Sequence, residues 1–296
     1  MSIPPDAYVI IIGAMKAGTS SLFNMLAQHP SICSSRVKEP EFFSQHQEHR
    51  VDVDRYEDLF DYVPGTHTRC LEASTGYTKF PGEMDVPRRM KDYGLEPSFI
   101  YVVRDPFARV ESEYNFAHLS RKPWRYENPL SVGAVQRSMY YLQIREFLRW
   151  YPERERYLIV DFDELVADPV GLAHRIFAWC GLDAFTVRNP TPRNVTPPAS
   201  RIEQRLKALP ALKRLLPTTV IARGKALLRT HDASAKRTLT DAERATLHEW
   251  LRRDLGRFGA AFGVDVGKWG FEGAVPSHEG PAPSHEGPSM SVGGAL

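Results

Sequence analysis

The stretch YVIIIGAMKAGTSSL, Tyr8 to Leu22, decides how this chain folds. Val9, Ile10, Ile11 and Ile12 form a β-branched run closed by Gly13, the composition of a short strand buried on both faces. Ser20, Ser21, Leu22, Phe23, Met25 and Leu26 then predict a helix, stopped at His29-Pro30 because the residue before a proline avoids the helical region. Between strand and helix, Gly13 and Gly18 permit a tight turn and close backbone approach. The N–H groups at the helix start and the Lys16 ammonium then offer a seat for a phosphate-like anion.

What the loop lacks is also informative. A Walker A loop reads G-x-x-x-x-G-K-[ST], with lysine directly after the second glycine. Here Ala17 separates Lys16 from Gly18, and Thr19 follows, which disfavours an ordinary nucleotide triphosphatase. Taken alone, such a loop is equally an ordinary strand-to-helix turn with an exposed lysine, so the rest of the chain has to decide.

The chain has 296 residues, 42% hydrophobic and 25% charged, which suits one sizeable α/β domain better than several small ones. We read residues 1–272 as that single domain, with a basic helical segment over 201–237 and a disordered Pro/Gly/His tail over 273–296. A net charge of +2 gives no global pull toward nucleic acid. Cys33, Cys70 and Cys180 are odd in number and contain no C-x-x-C, so neither a disulfide framework nor a zinc site is expected, and no metal is assigned. The early apolar run Tyr8 to Ile12 is far too short to cross a bilayer. We therefore expect no integral membrane segment and a cytoplasmic location, and we read the sequon at Asn194-Val-Thr196 as accidental.

Further along, Arg36-Val-Lys38-Glu39-Pro40-Glu41-Phe42-Phe43 predicts a loop in which two aromatics anchor in the core and aim Lys38 and Glu39. A carboxylate held beside a lysine favours its ionised form, the form that accepts a proton. Tyr56 to Tyr62 reads as a short amphipathic helix. Cys70 to Tyr77 reads as a strand running into a polar turn whose Glu72, Thr75 and Tyr77 are candidates for lining a site at the sheet's carboxyl edge. Phe99 to Val103 is a second buried strand, followed by Arg104, a capping Asp105 and Pro106 at the first helical turn. Asp105, Arg109 and Ser112 share a helical face, and an arginine with a hydroxyl there makes a second anion site. Ser138 to Trp150 has helical spacing, and Tyr157 to Val160 is a third strand. Asp168-Pro169 opens a helix that closes at Gly181, and Thr240 to Glu243 caps another.

Three motifs in order, G-A-M-K-A-G-T-S-S-L at 13–22, K-E-P-E-F-F at 38–43 and V-V-R-D-P-F-A-R-V-E-S at 102–112, resemble sulfotransferases that use 3′-phosphoadenosine 5′-phosphosulfate (PAPS). The likeness is closest to the bacterial and heparan-type carbohydrate branch and extends through D-F-D-E-L-V-A-D-P and W-C-G-L to Gly181. It implies a P-loop-like three-layer α/β fold with a central parallel sheet flanked by helices. It implies that Lys16, Ala17, Gly18, Thr19, Ser20 and Ser21 hold the 5′-phosphosulfate, with Lys16 also stabilising the departing phosphate. Arg104 and Ser112 would bind the 3′-phosphate, and Glu39 would act as the catalytic base toward an acceptor hydroxyl. No metal is required in this scheme.

The chain departs from the family in lacking the cytosolic branch's R-K-G-x-x-G-D-W-K segment and the heparan branch's late cysteine-bearing loop. In their place stands Arg193-Asn194-Val-Thr196-Pro197, with Asn194 expected against the cofactor. The acceptor is accordingly left open among a glycan, a lipid and a small metabolite, and oligomeric state is not legible. The rival readings are a P-loop nucleotide kinase, disfavoured by the displaced Lys16, and a non-catalytic nucleotide-binding protein, disfavoured by the presence of both Lys16 and Glu39.

Overall fold

The computed structural model describes residues 3–45, 52–119, 127–188 and 236–271. Five strands, β1 (Tyr8–Gly13), β2 (Ile32–Ser34), β3 (Arg69–Ala73), β4 (Ser98–Val103) and β5 (Tyr157–Asp161), form one sheet in the order β2-β3-β1-β4-β5. Every pairing is parallel, with Tyr8 opposite Cys70, Val9 opposite Ser98 and Phe99 opposite Tyr157. A parallel central strand has both faces covered, and β1 and β4 carry the continuous apolar runs that this requires. Ile10, Ile11 and Ile12 are completely buried, as are Phe99 through Val103.

The chain leaves β1, fills the β2-β3 side, then crosses to the β4-β5 side, so the strand order reverses at β1. In an open α/β sheet the crevice beyond the carboxyl ends of the strands at such a reversal is where ligands bind. The eight described α-helices are α1 (Thr19–Leu26), α2 (Val86–Asp92), α3 (Pro106–Leu119), α4 (Val132–Gln136), α5 (Tyr140–Leu148), α6 (Phe162–Ala167), α7 (Pro169–Trp179) and α8 (Asp241–Phe262). Helix α1 packs on β3 and α7, while α8 packs along α5.

Local signals set the helix ends. Asp161 and Asp168 cap α6 and α7 by accepting the Asp163 and Gly171 N–H groups at 2.8 and 2.9 Å. Thr240 and Glu243 form the anticipated capping box of α8. Asp161, whose position at the end of β5 also suits a metal-binding strand end, is spent on its cap and on an ion pair with Lys268. The amphipathic helix expected over 56–62 is a shorter 3-10 turn, Tyr56–Leu59, because Tyr56, Leu59 and Phe60 all turn inward.

Candidate functional site

At the carboxyl end of β1 the chain turns through Gly13 to Gly18 and enters α1. Gly13 is required here: its φ is +153°, and a Cβ would lie 2.0 Å from the Thr78 hydroxyl, which donates to Ile12 O at 2.7 Å. Gly18 caps α1 at φ +88°, with the Phe162 ring and Leu165 packed 3.0 Å from where a Cβ would stand. The backbone of Ala14 is tied to Val102 O at 2.7 Å, which pins the loop against β4. Lys16 takes a left-handed φ of +70°. The first N–H groups of a helix have no intrahelical partner, so the turn at Gly18, Thr19 and Ser20 presents donors and positive dipole to the crevice. Ala17 and Thr19 are buried, while Ser20 and Ser21 are half-buried at the same turn.

Arg104 leaves the end of β4 and reaches this loop: Nη1 donates to Lys16 O at 3.2 Å, and the guanidinium stacks on the Phe162 ring at 4.5 Å. The two predicted anion sites are therefore neighbours. Ser112 stands half-buried two turns into α3. Arg109, expected on the ligand-facing side with Asp105 and Ser112, turns inward instead and is completely buried. It ion-pairs with Glu113 at 2.7 Å, donates to the Ser138 hydroxyl at 2.7 Å and to Ala134 O at 2.5 Å, and reaches Met15 O at 3.4 Å. Arg109 thus holds the loop from below rather than meeting a ligand. Asp105 accepts the Phe107 N–H at 3.0 Å and is a cap, as anticipated.

Glu39 lies on the loop after β2. Its N–H donates to Ala73 O at 2.9 Å, which carries the loop to the same sheet edge as Gly13 and Arg104. Its carboxylate ion-pairs with Lys38 at 2.5 Å and lies 3.5 Å from the Thr75 hydroxyl. Glu39 and Glu41 adopt φ values of +58° and +53°, unusual for residues with a Cβ and characteristic of strained functional loops. Phe43 is buried and Phe42 packs on the core, anchoring the loop as the aromatic pair predicts. Of the three candidates on the β3 turn, only Thr75 reaches the site. Glu72 and Tyr77 face the core: Glu72 accepts the Tyr56 hydroxyl at 3.1 Å, and burial raises its carboxyl to about 8.

Charged groups inside and outside the sequence motifs meet at this site, Lys79 and Glu113 lying outside them. Burial draws the Lys16 ammonium down to about 8, opposed by the charges of Glu113 and Glu39. Lys79 follows the Thr75 turn and is likewise lowered by burial, with Glu41 acting against the shift and Arg137 with it. Glu41 is completely enclosed, accepting the Gly76 N–H at 2.9 Å and the Ser44 hydroxyl at 2.7 Å, and burial raises its carboxyl. Burial also opposes ionisation of Glu113, but the guanidiniums of Arg109 and Arg137 outweigh it and hold the carboxyl at about 2. Residues so far apart in sequence meet only through the sheet. The spacing of Ser112 and Phe116, one helical turn, was the one available pointer to Phe116, whose ring faces Lys16.

Asn194, the loop over 193–197, most of the basic segment (201–235) and the tail 273–296 lie outside the described residues. No group of His, Cys, Asp and Glu suited to a metal ion occurs among the described residues. No described helix is long and apolar enough to cross a membrane.

A parallel sheet with a glycine-bounded loop at its reversal point and the cations Lys16 and Arg104 at that loop is a P-loop-like fold with a candidate anion site. A profile described as "Sulfotransferase family" matches residues 9–186, and the chain belongs to that family. It is 29% identical over 189 residues to human heparan sulfate glucosamine 3-O-sulfotransferase 3B1, covering 58% of this chain and 45% of that protein. The mouse 3-O-sulfotransferase 5 is 28% identical over 176 residues, covering 54% and 49%. The chain therefore spans about half the length of these curated relatives. A sulfotransferase structure from Alicyclobacillus acidocaldarius superposes with a TM-score of 0.64 at 21% identity, covering 89% of this chain and 98% of that one, which shows the shared fold.

Proposed function

We propose that this chain transfers a sulfuryl group from PAPS to a hydroxyl of a glycan acceptor. The observation that carries the reading is the convergence at one sheet edge of Lys16, Arg104 touching the Lys16 carbonyl, and Glu39 tied to the end of β3. The donor set suits a nucleotide with phosphates at two positions: loop N–H groups and Lys16 for the 5′ end, Arg104 and Ser112 for the 3′ end. PAPS brings a sulfuryl group on a good phosphate leaving group. The chain supplies alignment and charge: Lys16 steadies the oxygen that gains negative charge as its bond to sulfur breaks, and Glu39 takes the hydroxyl proton as the acceptor oxygen bonds to sulfur. Lys38 ion-pairs with Glu39 at 2.5 Å and so fixes where its carboxylate stands.

The glycan assignment is supported by the relatives' names, heparan sulfate glucosamine 3-O-sulfotransferases. The test is thermal unfolding with 3′-phosphoadenosine 5′-phosphate (PAP), ADP and ATP, with and without Mg²⁺, followed by transfer of labelled sulfate to a glycan panel. Saturation at ~100 times Kd adds about 2.7 kcal/mol, a rise of roughly 5–10 °C. We expect PAP alone to give it without metal. Stabilisation only by ATP with Mg²⁺ would overturn the reading, and transfer confined to non-glycan hydroxyls would overturn its acceptor class.

A further inference from the structure

We propose that Phe116 is a positioning residue for Lys16, its ring face holding the ammonium charged and in place for the incoming nucleotide. This rests on Lys16 being the loop cation of the reaction proposed above. The Lys16 Nζ lies 3.9 Å from the centre of the Phe116 ring, close enough for a strong attraction to the negative face of the ring. Phe116 stands one turn beyond Ser112 on α3, so the two share a helical face, and the ring meets the loop at Lys16.

The groups that act on Lys16 come from three directions. From α3 come Glu113 and Arg109, from the end of β4 comes Arg104, and from the loop after β2 comes Glu39. Glu113 is the strongest favourable charge, but its oxygens are already engaged by Arg109 and Arg137. Glu39 is engaged by Lys38. A ring face stabilises the ammonium without adding a negative charge that would repel phosphate. Burial is the main influence lowering Lys16 to about 8, so withdrawing the ring's attraction leaves desolvation and the two arginines less opposed.

The test titrates the ε-carbons of ¹³C-labelled lysines by NMR in the full-length protein without ligand. The Lys16 signal is assigned by its loss in Lys16→Ala. We expect a midpoint near 8 in the wild type, about one pH unit lower in Phe116→Leu, and restored in Phe116→Tyr, which keeps the aromatic face. PAP affinity measured in parallel should fall about fivefold in Phe116→Leu at pH 8, the ratio of the charged fractions at midpoints of about 8 and about 7, and by much less at pH 6.5, where the ammonium is mostly charged in both. A merely structural ring would leave the midpoint unmoved while lowering the unfolding temperature. An unchanged midpoint in a folded Phe116→Leu, or a lowered one in Phe116→Tyr, overturns the proposal. Failure of the wild type itself to bind PAP counts against the sulfotransferase reading instead, and leaves the titration to decide the role of Phe116.

Discussion

Replacing Glu113 by glutamine should be the most damaging single neutral substitution beneath the anion loop. The carboxylate is completely buried between Arg109, paired at 2.7 Å, and Arg137. Glutamine keeps the shape and one acceptor oxygen but leaves two enclosed guanidiniums without a counter-charge. Breaking one partner of a buried ion pair costs about 3–5 kcal/mol. The titration of the group gives a second route to the magnitude. The Glu113 carboxyl is held at about 2 against an ordinary 4.5, roughly 2.5 pH units at about 1.4 kcal/mol each, or on the order of 3 kcal/mol. The sign follows from the direction: a depressed carboxyl stabilises the fold above about 4.5, and that contribution is lost as pH falls toward about 2. Urea unfolding of wild type and Glu113→Gln at half-unit steps from pH 7 to pH 2.5 checks both statements. We expect a gap of about 3 kcal/mol at pH 7, equivalent to a drop of roughly 6–12 °C in Tm, narrowing steadily below pH 4.5. A gap under 1 kcal/mol at pH 7, or one that does not narrow in acid, would refute the counter-charge argument.

Glu72→Gln should behave in the opposite way. Its buried carboxyl is raised to about 8, so the wild type has its full stability below about 4.5 and loses it as pH rises to about 8; denaturation curves of the two proteins should diverge across that window and run parallel above it. Gly18→Ala places a methyl at φ +88° and 3.0 Å from Phe162 and Leu165, and should cost about 1–3 kcal/mol by calorimetry while also weakening PAP binding, because α1 can no longer start in register. Glu39→Gln should lower sulfate transfer by about 10²-fold or more with Tm and PAP affinity near those of the wild type; full activity would remove Glu39 from the base role. Thr240→Ala breaks the capping box of α8 and should cost about 1 kcal/mol in urea unfolding.

Much of the fold was legible because its signals are local. The runs Val9 to Ile12 and Phe99 to Val103 announce strands covered on both faces, and β1 and β4 are those strands. Asp105, Asp168 and the Thr240–Glu243 pair announce helix starts that the structure bears out. Edge strand β2, three residues long, was not read because a strand that short gains its identity from pairing with β3 rather than from its own pattern.

By itself, then, the amino-acid sequence determined the parallel α/β class, the glycine-bounded anion loop and the family, since these rest on residues adjacent in the chain. Tertiary structure alone decided which charges are spent internally and which face the crevice. Helical spacing put Arg109 and Ser112 on one side of α3, but only packing against α4 and the Met15 carbonyl shows Arg109 committed to Glu113. The same holds for Glu72, an apparent site residue that the core encloses, and for Phe116, an unremarked ring that the sheet brings beneath Lys16. The reason is physical: a charge's role depends on its solvation and on partners that, here, lie up to a hundred residues away in the chain, and those are set only when the strands assemble.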